Sequence, residues 1–328
     1  MRLLVTGGAG FIGANFIHYW LEKYPNDEII NIDRLTYASD LQNLTDVKTN
    51  RSYSFIRGNI ADKDTVDKLA KKVDVIVNFA AESHVDRSIA DSSNFVRSNI
   101  IGVHNLLETT RKYDIRFHQV STDEVYGSLN LKSSDKFKET SRYAPKNPYA
   151  ATKASADHLV NAYYNTYGLP VTISNCSNNY GPFQHPEKLI PKTIINALSN
   201  KPIPIYGDGL QIRDWIYVYD HCSALDTILK KGAYGETYLV GVNNEKHNLD
   251  VIKMILAKLK ISTDAMKFVT DRPGHDIRYA IDATKIKKML GWKPKFEFES
   301  SLEKTIDYYK KNFKRYSKKL EYGCAIRI

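Results

Sequence analysis

Short, unbroken apolar runs alternate with amphipathic stretches through the first half of the chain. The runs at residues 2–6, 28–33, 53–57, 74–78, 116–121 and 171–175 have the length and composition of strands, and helical periodicity falls between them. Leu3-Leu4-Val5 and Val75-Ile76-Val77 show no polar alternation. That pattern suits a parallel sheet covered by helices on both faces. Six strands with intervening helices predict a doubly wound parallel α/β sheet of Rossmann type. After about residue 175 the texture changes, and turn-rich pieces at 180–182, 206–209 and 272–274 separate shorter elements. A smaller α/β C-terminal unit is expected there. Residues 215–230 and 237–240 again read as helix and then strand, so the segment 215–241 is expected to return to the first sheet.

Composition narrows the class. The 328 residues suggest about two units at roughly 150 residues each, and 42% hydrophobic residues exclude disorder as the main state. No apolar run approaches the ~18 residues of a membrane span, and the first residues lack a signal-peptide pattern. Cys176, Cys222 and Cys324 have no CxxC or Cys/His metal spacing. A reducing cytoplasm is expected, with no disulfide framework, no metal and no membrane partner. Lys plus Arg (47) minus Asp plus Glu (37) gives a net charge of +10. The basic residues Lys304, Lys310, Lys311, Lys314, Arg315, Lys318 and Lys319 cluster on what reads as a solvated helix. With no nucleic-acid-binding motif beside them, no nucleic-acid partner is expected.

The first strand runs into Gly7-Gly8-Ala9-Gly10-Phe11-Ile12-Gly13, a strand-to-helix turn. Gly7 and Gly10 let backbone amides and the helix N-terminus approach a pyrophosphate, and Gly13 lets helix and strand pack closely. Twenty residues after Gly13, Asp33 ends the second strand, where a carboxylate accepts ribose hydroxyls. A carboxylate there repels a 2′-phosphate, which favours NAD over NADP. Arg34 beside it is a counter-signal.

Tyr149 and Lys153 lie one helical turn apart in PYAATKASADHLV. A nearby ammonium is expected to lower the pKa of the phenol and make it a base toward a hydroxyl. Taken alone, the pair also reads as a surface tyrosine beside a solvated lysine. Thr122, Asp123 and Glu124 end the fifth strand, where ligands bind in such sheets, and two adjacent acids can diverge in pKa to serve as acid and base. Taken alone, Asp123-Glu124 also reads as an exposed acidic turn; the glycine turn, the Tyr149/Lys153 pair and the strand-end position argue against that.

Nine dispersed stretches then carry a resemblance that spans essentially the whole chain: TGGAGFIG (6–13), DRLTY (33–37), AAESHVDRS (80–88), STDEVYG (121–127), Tyr149 to Lys153, SNNYGP (177–182), EKLIP (187–191), YGDGLQIRDW (206–215) and DRPGHD (271–276). The chain resembles the extended short-chain dehydrogenase/reductases, and among them the dehydratases of nucleotide sugars. The resemblance implies residues 1–175, with 215–241, as an NAD-binding Rossmann domain, and 176–328 mainly as a nucleotide-sugar-binding domain. NAD contacts are implied for Phe11, Ile12, Asp33, Arg34, Leu35, Thr36, Asn59, Ile60, Phe79, Ala80, Ala81, Glu82, Ser83, Ser98, Tyr149, Lys153 and Asn179. Contacts to the nucleotide sugar, expected to be dTDP-glucose, are implied for Ser83, Thr122, Asn178, Lys188, Leu189, Pro204, Ile205, Tyr206, Arg213, Asn248, Arg272 and His275.

The implied reaction is loss of water with no net redox change. Tyr149 deprotonates the C4 hydroxyl held by Thr122, Lys153 supports the phenolate, Glu124 removes the C5 proton and Asp123 protonates the departing C6 hydroxyl. An epimerase needs no elimination and has small residues where Asp123 and Glu124 stand. The alternatives are a 4-epimerase, a dehydratase of another nucleotide sugar such as UDP-glucose, or a regulator that keeps the fold without the chemistry. The sequence departs from its relatives at Asn59, Ser39 and Arg34, which bear on cofactor binding more than on the reacting centre. A homodimer through helices at 92–113 and 148–167 is implied by resemblance alone.

Overall fold

Every long apolar run finds a neighbour running the same way. The structure, a computed structural model, describes residues 1–271 and 273–324, with side chains described through residue 321. The strands in chain order are β1 (Arg2–Thr6), β2 (Glu28–Asp33), β3 (Tyr53–Arg57), β4 (Val75–Asn78), β5 (Arg116–Thr122), β6 (Val171–Cys176), β7 (Asn178–Tyr180), β8 (Ile203–Tyr206), β9 (Ile212–Tyr217), β10 (Thr237–Val240), β11 (Glu245–His247) and β12 (Met266–Val269). Seven of them form one parallel sheet in the order β10-β6-β5-β4-β1-β2-β3. The chain reverses direction across the sheet between β1 and β4, which opens a crevice at the carboxyl ends of the strands.

Because strand side chains alternate between faces, each run feeds two cores. Leu3, Val5, Ile29 and Val77 meet helix Phe11–Lys23 and helix Val218–Lys231 on one face. Leu4, Ile32, Ile76, Phe117 and Ile173 meet Val66, Leu106 and Val160 of the helices on the other. Helix Pro148–Tyr167 starts where the Asn147 side chain accepts from the Ala150 N–H (2.9 Å) with Pro148 in its first turn, and it stops at Gly168 in left-handed geometry. This fixes the position of Tyr149, on the first turn.

The smaller unit holds the mixed sheet β11-β9-β7 and the parallel pair β12-β8. Its core gathers Tyr180, Ile194, Trp215, Val251, Leu302 and Tyr309. Here the sequence pattern misleads in places. Trp215 to Tyr217 belong to a strand, and the helix begins only at Val218; aromatic and β-branched residues packed across a pleat read like a short apolar helix face. Asp74 precedes its strand, whereas Thr122 and Cys176 extend theirs, small polar ends being buried by the sheet. The C-terminal helix Phe313–Cys324 is not wholly solvated: Arg315 and Lys319 both turn toward Asp40.

Among the described residues, no helix is long and apolar enough to cross a membrane, and no group of three or more His, Cys, Asp or Glu could hold a metal ion.

Candidate active site

The crevice holds two connected cavities. The smaller, about 300 Å³, lies over the ends of β1, β2, β4, β5 and β6. It brings together Gly7, Gly10, Phe11, Ile12, Gly13, Asp33, Arg34, Thr36, Asn59, Ile60, Phe79, Ala80, Ala81, Glu82, Ser83, Ser98, Tyr149, Lys153 and Asn179. Leu35 is not among them. Its backbone takes a positive φ of 59° and its N–H donates to Asp33 Oδ1 (2.8 Å), while its side chain packs on the core beneath.

The residues present fit a dinucleotide. Gly7 has φ 69°, and a Cβ there would stand 2.7 Å from the Ala80 backbone; a Cβ on Gly13 would stand 2.6 Å from the Gly7 carbonyl. The turn is therefore as close to its neighbours as backbone allows, and helix Phe11–Lys23 has no acidic side chain in its first turn to compete with an anion. Asp33 accepts from the Ala9 N–H (3.0 Å), the Leu35 N–H and the Ser39 hydroxyl (2.8 Å), and a carboxylate retains capacity for a further donor. Ser39, one of the departures, thus steadies Asp33. Arg34, another, is committed to Glu82 (Nη2 to Oε1, 2.9 Å), which removes its force as a signal for a 2′-phosphate. Asn59 accepts from the Ala61 N–H (2.9 Å) and shapes its own turn.

The larger cavity, about 1020 Å³, is lined by Asn178, Lys188, Leu189, Pro204, Ile205, Tyr206, Arg213, Asn248 and His275. Ser83 and Thr122 line the smaller cavity instead, and Glu124, Asn178 and Lys188 stand at the junction of the two. Arg272 lies outside the described residues. Arg213 is no solvated surface charge: it is buried, donates to the carbonyls of Ile212 (2.8 Å) and Asp276 (2.8 Å), and stacks 4.4 Å over the Tyr279 ring. Sequence reasoning missed Tyr37, His84, Arg87, His185, Glu187 and Tyr279, which also line this cleft. Arg87 sits 3.7 Å over the Tyr37 ring and His84 faces Glu187 at 3.3 Å. The stretches DRLTY, AAESHVDRS and EKLIP contain four of the six, but only the folded chain brings them to one wall.

The reacting groups meet at the junction. The Thr122 hydroxyl accepts from the Glu124 N–H (3.3 Å) and so caps the single 3₁₀ turn Asp123–Tyr126. Asp123 is buried, with Oδ2 unpartnered. Burial, then the charges of Glu124 and Asp214, hold its carboxyl well above the usual range, with Arg213 and a hydrogen bond from Thr122 opposing. Burial likewise raises the Tyr149 phenol well above its ordinary value, helped by Glu124 and Cys176 and opposed by Thr122. The expectation that Lys153 lowers the phenol meets a different arrangement. Lys153 Nζ donates to the Val120 carbonyl (2.8 Å); burial depresses its own pKa, and the charge of Asp157 one turn on acts against that. Asp157 is itself held by Ser121 (2.7 Å) and Asn175 (3.1 Å).

A buried acid with a raised pKa beside a half-buried carboxylate, with a phenol and a lysine lining the same cavity, can move protons at adjacent carbons of one small molecule. Comparison with known proteins agrees. A family model described as GDP-mannose 4,6 dehydratase matches residues 4–305. A dTDP-glucose 4,6-dehydratase of Neisseria meningitidis serogroup B is 48% identical over 334 aligned positions, covering 95% of this chain and 94% of the relative. The structure of a dTDP-glucose 4,6-dehydratase of Bacillus anthracis in complex with NAD is 47% identical and superposes with a TM-score of 0.91, covering 97% of this chain and 99% of that one. A dTDP-glucose 4,6-dehydratase of Streptomyces venezuelae, with NAD and dTDP bound, superposes with a TM-score of 0.95 at 42% identity, over 97% of this chain and 100% of that one.

Proposed function

This chain belongs to the GDP-mannose 4,6 dehydratase family, and from that premise we propose that it is an NAD-dependent hydro-lyase that converts dTDP-glucose to dTDP-4-dehydro-6-deoxy-glucose. The observation that carries the reading is the Thr122-Asp123-Glu124 turn at the junction of the two cavities, with Asp123 buried, its Oδ2 unpartnered and its carboxyl raised by burial well above the usual range. A chain that only epimerised at C4 would have no use for a proton donor of that kind.

NAD would be held by the glycine turn, the Phe11–Lys23 helix N-terminus and Asp33; when bound it would supply a hydride acceptor for C4, a hydride donor for C6, and a positive ring that would offset the rise that burial gives the Tyr149 pKa. Tyr149 accepts the C4 hydroxyl proton while Thr122 orients that hydroxyl. Lys153, one helical turn after Tyr149 and fixed on the Val120 carbonyl, supplies a buried positive charge for the phenolate. Once C4 is a carbonyl, the C5 proton is acidified and Glu124 removes it. Asp123 gives its proton to the C6 hydroxyl, which leaves as water, and the proton taken up by Glu124 returns to C5 as hydride is added at C6. Burial of Thr122, Asp123, Tyr149 and Lys153 keeps bulk water from the intermediate. The nucleotide end occupies the larger cavity, with Tyr206 against the base and Arg213, Lys188 and His275 toward the diphosphate.

The working form is a homodimer in the cytoplasm. Support for the dimer comes from the helical faces at 93–113 and 148–167, where Val96, Ile101, Tyr164 and Tyr167 are exposed; support for the compartment comes from the nucleotide cofactor and substrate. The deciding experiment offers dTDP-glucose, UDP-glucose, CDP-glucose and GDP-mannose to one preparation. A keto-deoxy sugar formed fastest from dTDP-glucose is the expected product. A C4 epimer with its C6 oxygen intact would replace this reading with that of an epimerase.

A further inference from the structure

The basic cluster near the C-terminus holds two residues that do not face solvent. Arg315 donates to Asp40 Oδ2 from Nε (3.1 Å) and Nη2 (2.6 Å), and to Asn43 Oδ1 from Nη2 (2.5 Å), while Lys319 pairs with the same carboxylate. The side chains of Arg315 and Asp40 are only 18% and 16% exposed. Asp40 and Asn43 belong to the segment that follows β2, and both reach the glycine turn: the Asp40 N–H (2.9 Å) and Asn43 Nδ2 (3.1 Å) donate to the Ala9 carbonyl. The Ala9 N–H in turn donates to Asp33 Oδ2 (3.0 Å). Asn43 is further tied through its own carbonyl to His18 Nε2 (2.7 Å), on the helix that the glycine turn opens.

The turn between β1 and its helix carries glycine at positions 7, 8, 10 and 13, so its peptides have little stiffness of their own. Both polar groups of Ala9 are fixed from outside the turn, the N–H by Asp33 and the carbonyl by the Asp40/Asn43 pair. Arg315 is the side chain that bridges that pair, from a helix almost three hundred residues away in sequence (|i−j| 275 to Asp40). Burial disfavours the charges of both partners, yet Asp40 is held below the usual carboxylate range by Lys319, the Gln42 N–H and Arg315, and Arg315 is raised above its ordinary value.

We propose that Arg315 is a positioning residue for the cofactor turn: by bridging Asp40 and Asn43 it holds the Ala9 peptide in place and slows the release of NAD. This rests on the smaller cavity being the NAD site. Arg315, Asp40 and Asn43 do not line the smaller cavity, so their effect should appear in the rate at which cofactor escapes.

The test uses the holoenzyme and follows exchange of bound NAD with excess labelled NAD, alongside the thermal midpoint. Arg315→Ala should release NAD about tenfold faster, the size of one charge-assisted hydrogen bond. Arg315→Lys, which keeps a cation for Asp40 but cannot span to Asn43, should recover part of that loss. Asn43→Ala approaches from the loop side and leaves the C-terminal helix untouched, so it keeps the test alive if Arg315→Ala folds poorly; it should speed release similarly, and the double variant should be no faster than the worse single. Wild-type exchange rates in folded Arg315→Ala and Asn43→Ala, with only the midpoint lowered, would reduce the network to a brace of the fold and overturn the inference. A wild-type protein that retains no NAD at all would instead overturn the cofactor reading, and the inference with it.

Discussion

The two cavities are built in different ways. The smaller one is a property of the sheet: its lining comes from consecutive strand ends and the turns just beyond them, and its closest approaches are made by backbone at Gly7 and Gly13. The larger one is assembled from β8, β9, the start of helix Asn248–Leu259 and several loops, and its contacts are side chains supported by unrelated neighbours, such as Arg213 on the Asp276 carbonyl. One region inherits its geometry from topology, the other from packing between pieces far apart in sequence. The proposed chemistry falls where they meet, at the turn Asp123–Tyr126 that ends β5, whose Glu124 lines both. A fold can therefore keep the first region and exchange the second, and the proposed function assigns specificity for the nucleotide to the second.

The largest expected effects fall at the junction and divide it in two. Tyr149→Phe removes the base for the C4 hydroxyl and should lower turnover by about 10²–10⁴, with no reduced nicotinamide formed in a single turnover. Asp123→Asn and Glu124→Gln leave Tyr149, Lys153 and Thr122 in place, so they should slow turnover by a similar factor while enzyme-bound reduced nicotinamide builds up. Carboxylate variants that stop before any nicotinamide is reduced, with circular dichroism intact, would break this division. Wild-type turnover in both would return the acid pair to an ordinary turn.

Asp33→Ala isolates the region set by the sheet. It removes a carboxylate fixed by Ala9, Leu35 and Ser39, and NAD affinity, read by titration, should fall by about 10–100-fold, as for loss of a hydrogen bond to a charged group. Turnover at saturating NAD should change little. Equal losses in turnover would mean that the two regions are not separable at this residue.

The contrast also decides what the sequence could reveal. Apolar strands, the glycine turn and Asp33 are local signals, each written within a few consecutive residues, and the parallel sheet follows from them. The resemblance implies Leu35 as a cofactor contact, whereas its side chain packs on the core from a backbone of positive φ. The partner of Lys153 is a carbonyl on a neighbouring strand, which no spacing along a helix announces. Arg87 on Tyr37, His84 on Glu187 and Arg315 on Asp40 are each pairs separated by dozens to hundreds of residues, made only by packing. The basic C-terminal stretch reads as solvated because its partner carboxylate is encoded at the other end of the chain.

A smaller effect is expected in the larger cavity. Tyr206→Ala removes an aromatic face from its wall and should raise KM for dTDP-glucose by about five- to tenfold, at the lower end of what base stacking contributes. The NAD titration should be unchanged. Because this wall is shared among many side chains, no single one should dominate, and a hundredfold loss at Tyr206 would show that the region is less distributed than its geometry.

The smallest effect crosses between the regions. Asp214 on β9 belongs to the smaller unit and is buried, its carboxyl pushed up to about 6 by burial against the hydrogen bonds from neighbouring N–H groups, that of Asn244 among them (2.8 Å). It is one of the charges that raise the Asp123 carboxyl, after burial and Glu124. Asp123 must carry its proton to release the C6 hydroxyl, so turnover falls as pH climbs through its pKa. Asp214→Asn removes a negative charge that exists only above about pH 6. Asp123 then becomes more acidic, and the alkaline limb of the turnover profile should move to lower pH, only slightly because burial, the leading cause, is untouched. Stability gives an independent sign. A carboxyl whose folded pKa is raised favours folding below its unfolded pKa and loses that contribution as pH rises through the folded one. The wild type should therefore lose stability relative to Asp214→Asn between about pH 4 and 6, followed by thermal midpoint. A profile that stays in place while the stability difference appears would mean that Asp214 is buried for packing alone, and that the smaller unit reaches the chemistry only by holding the sugar.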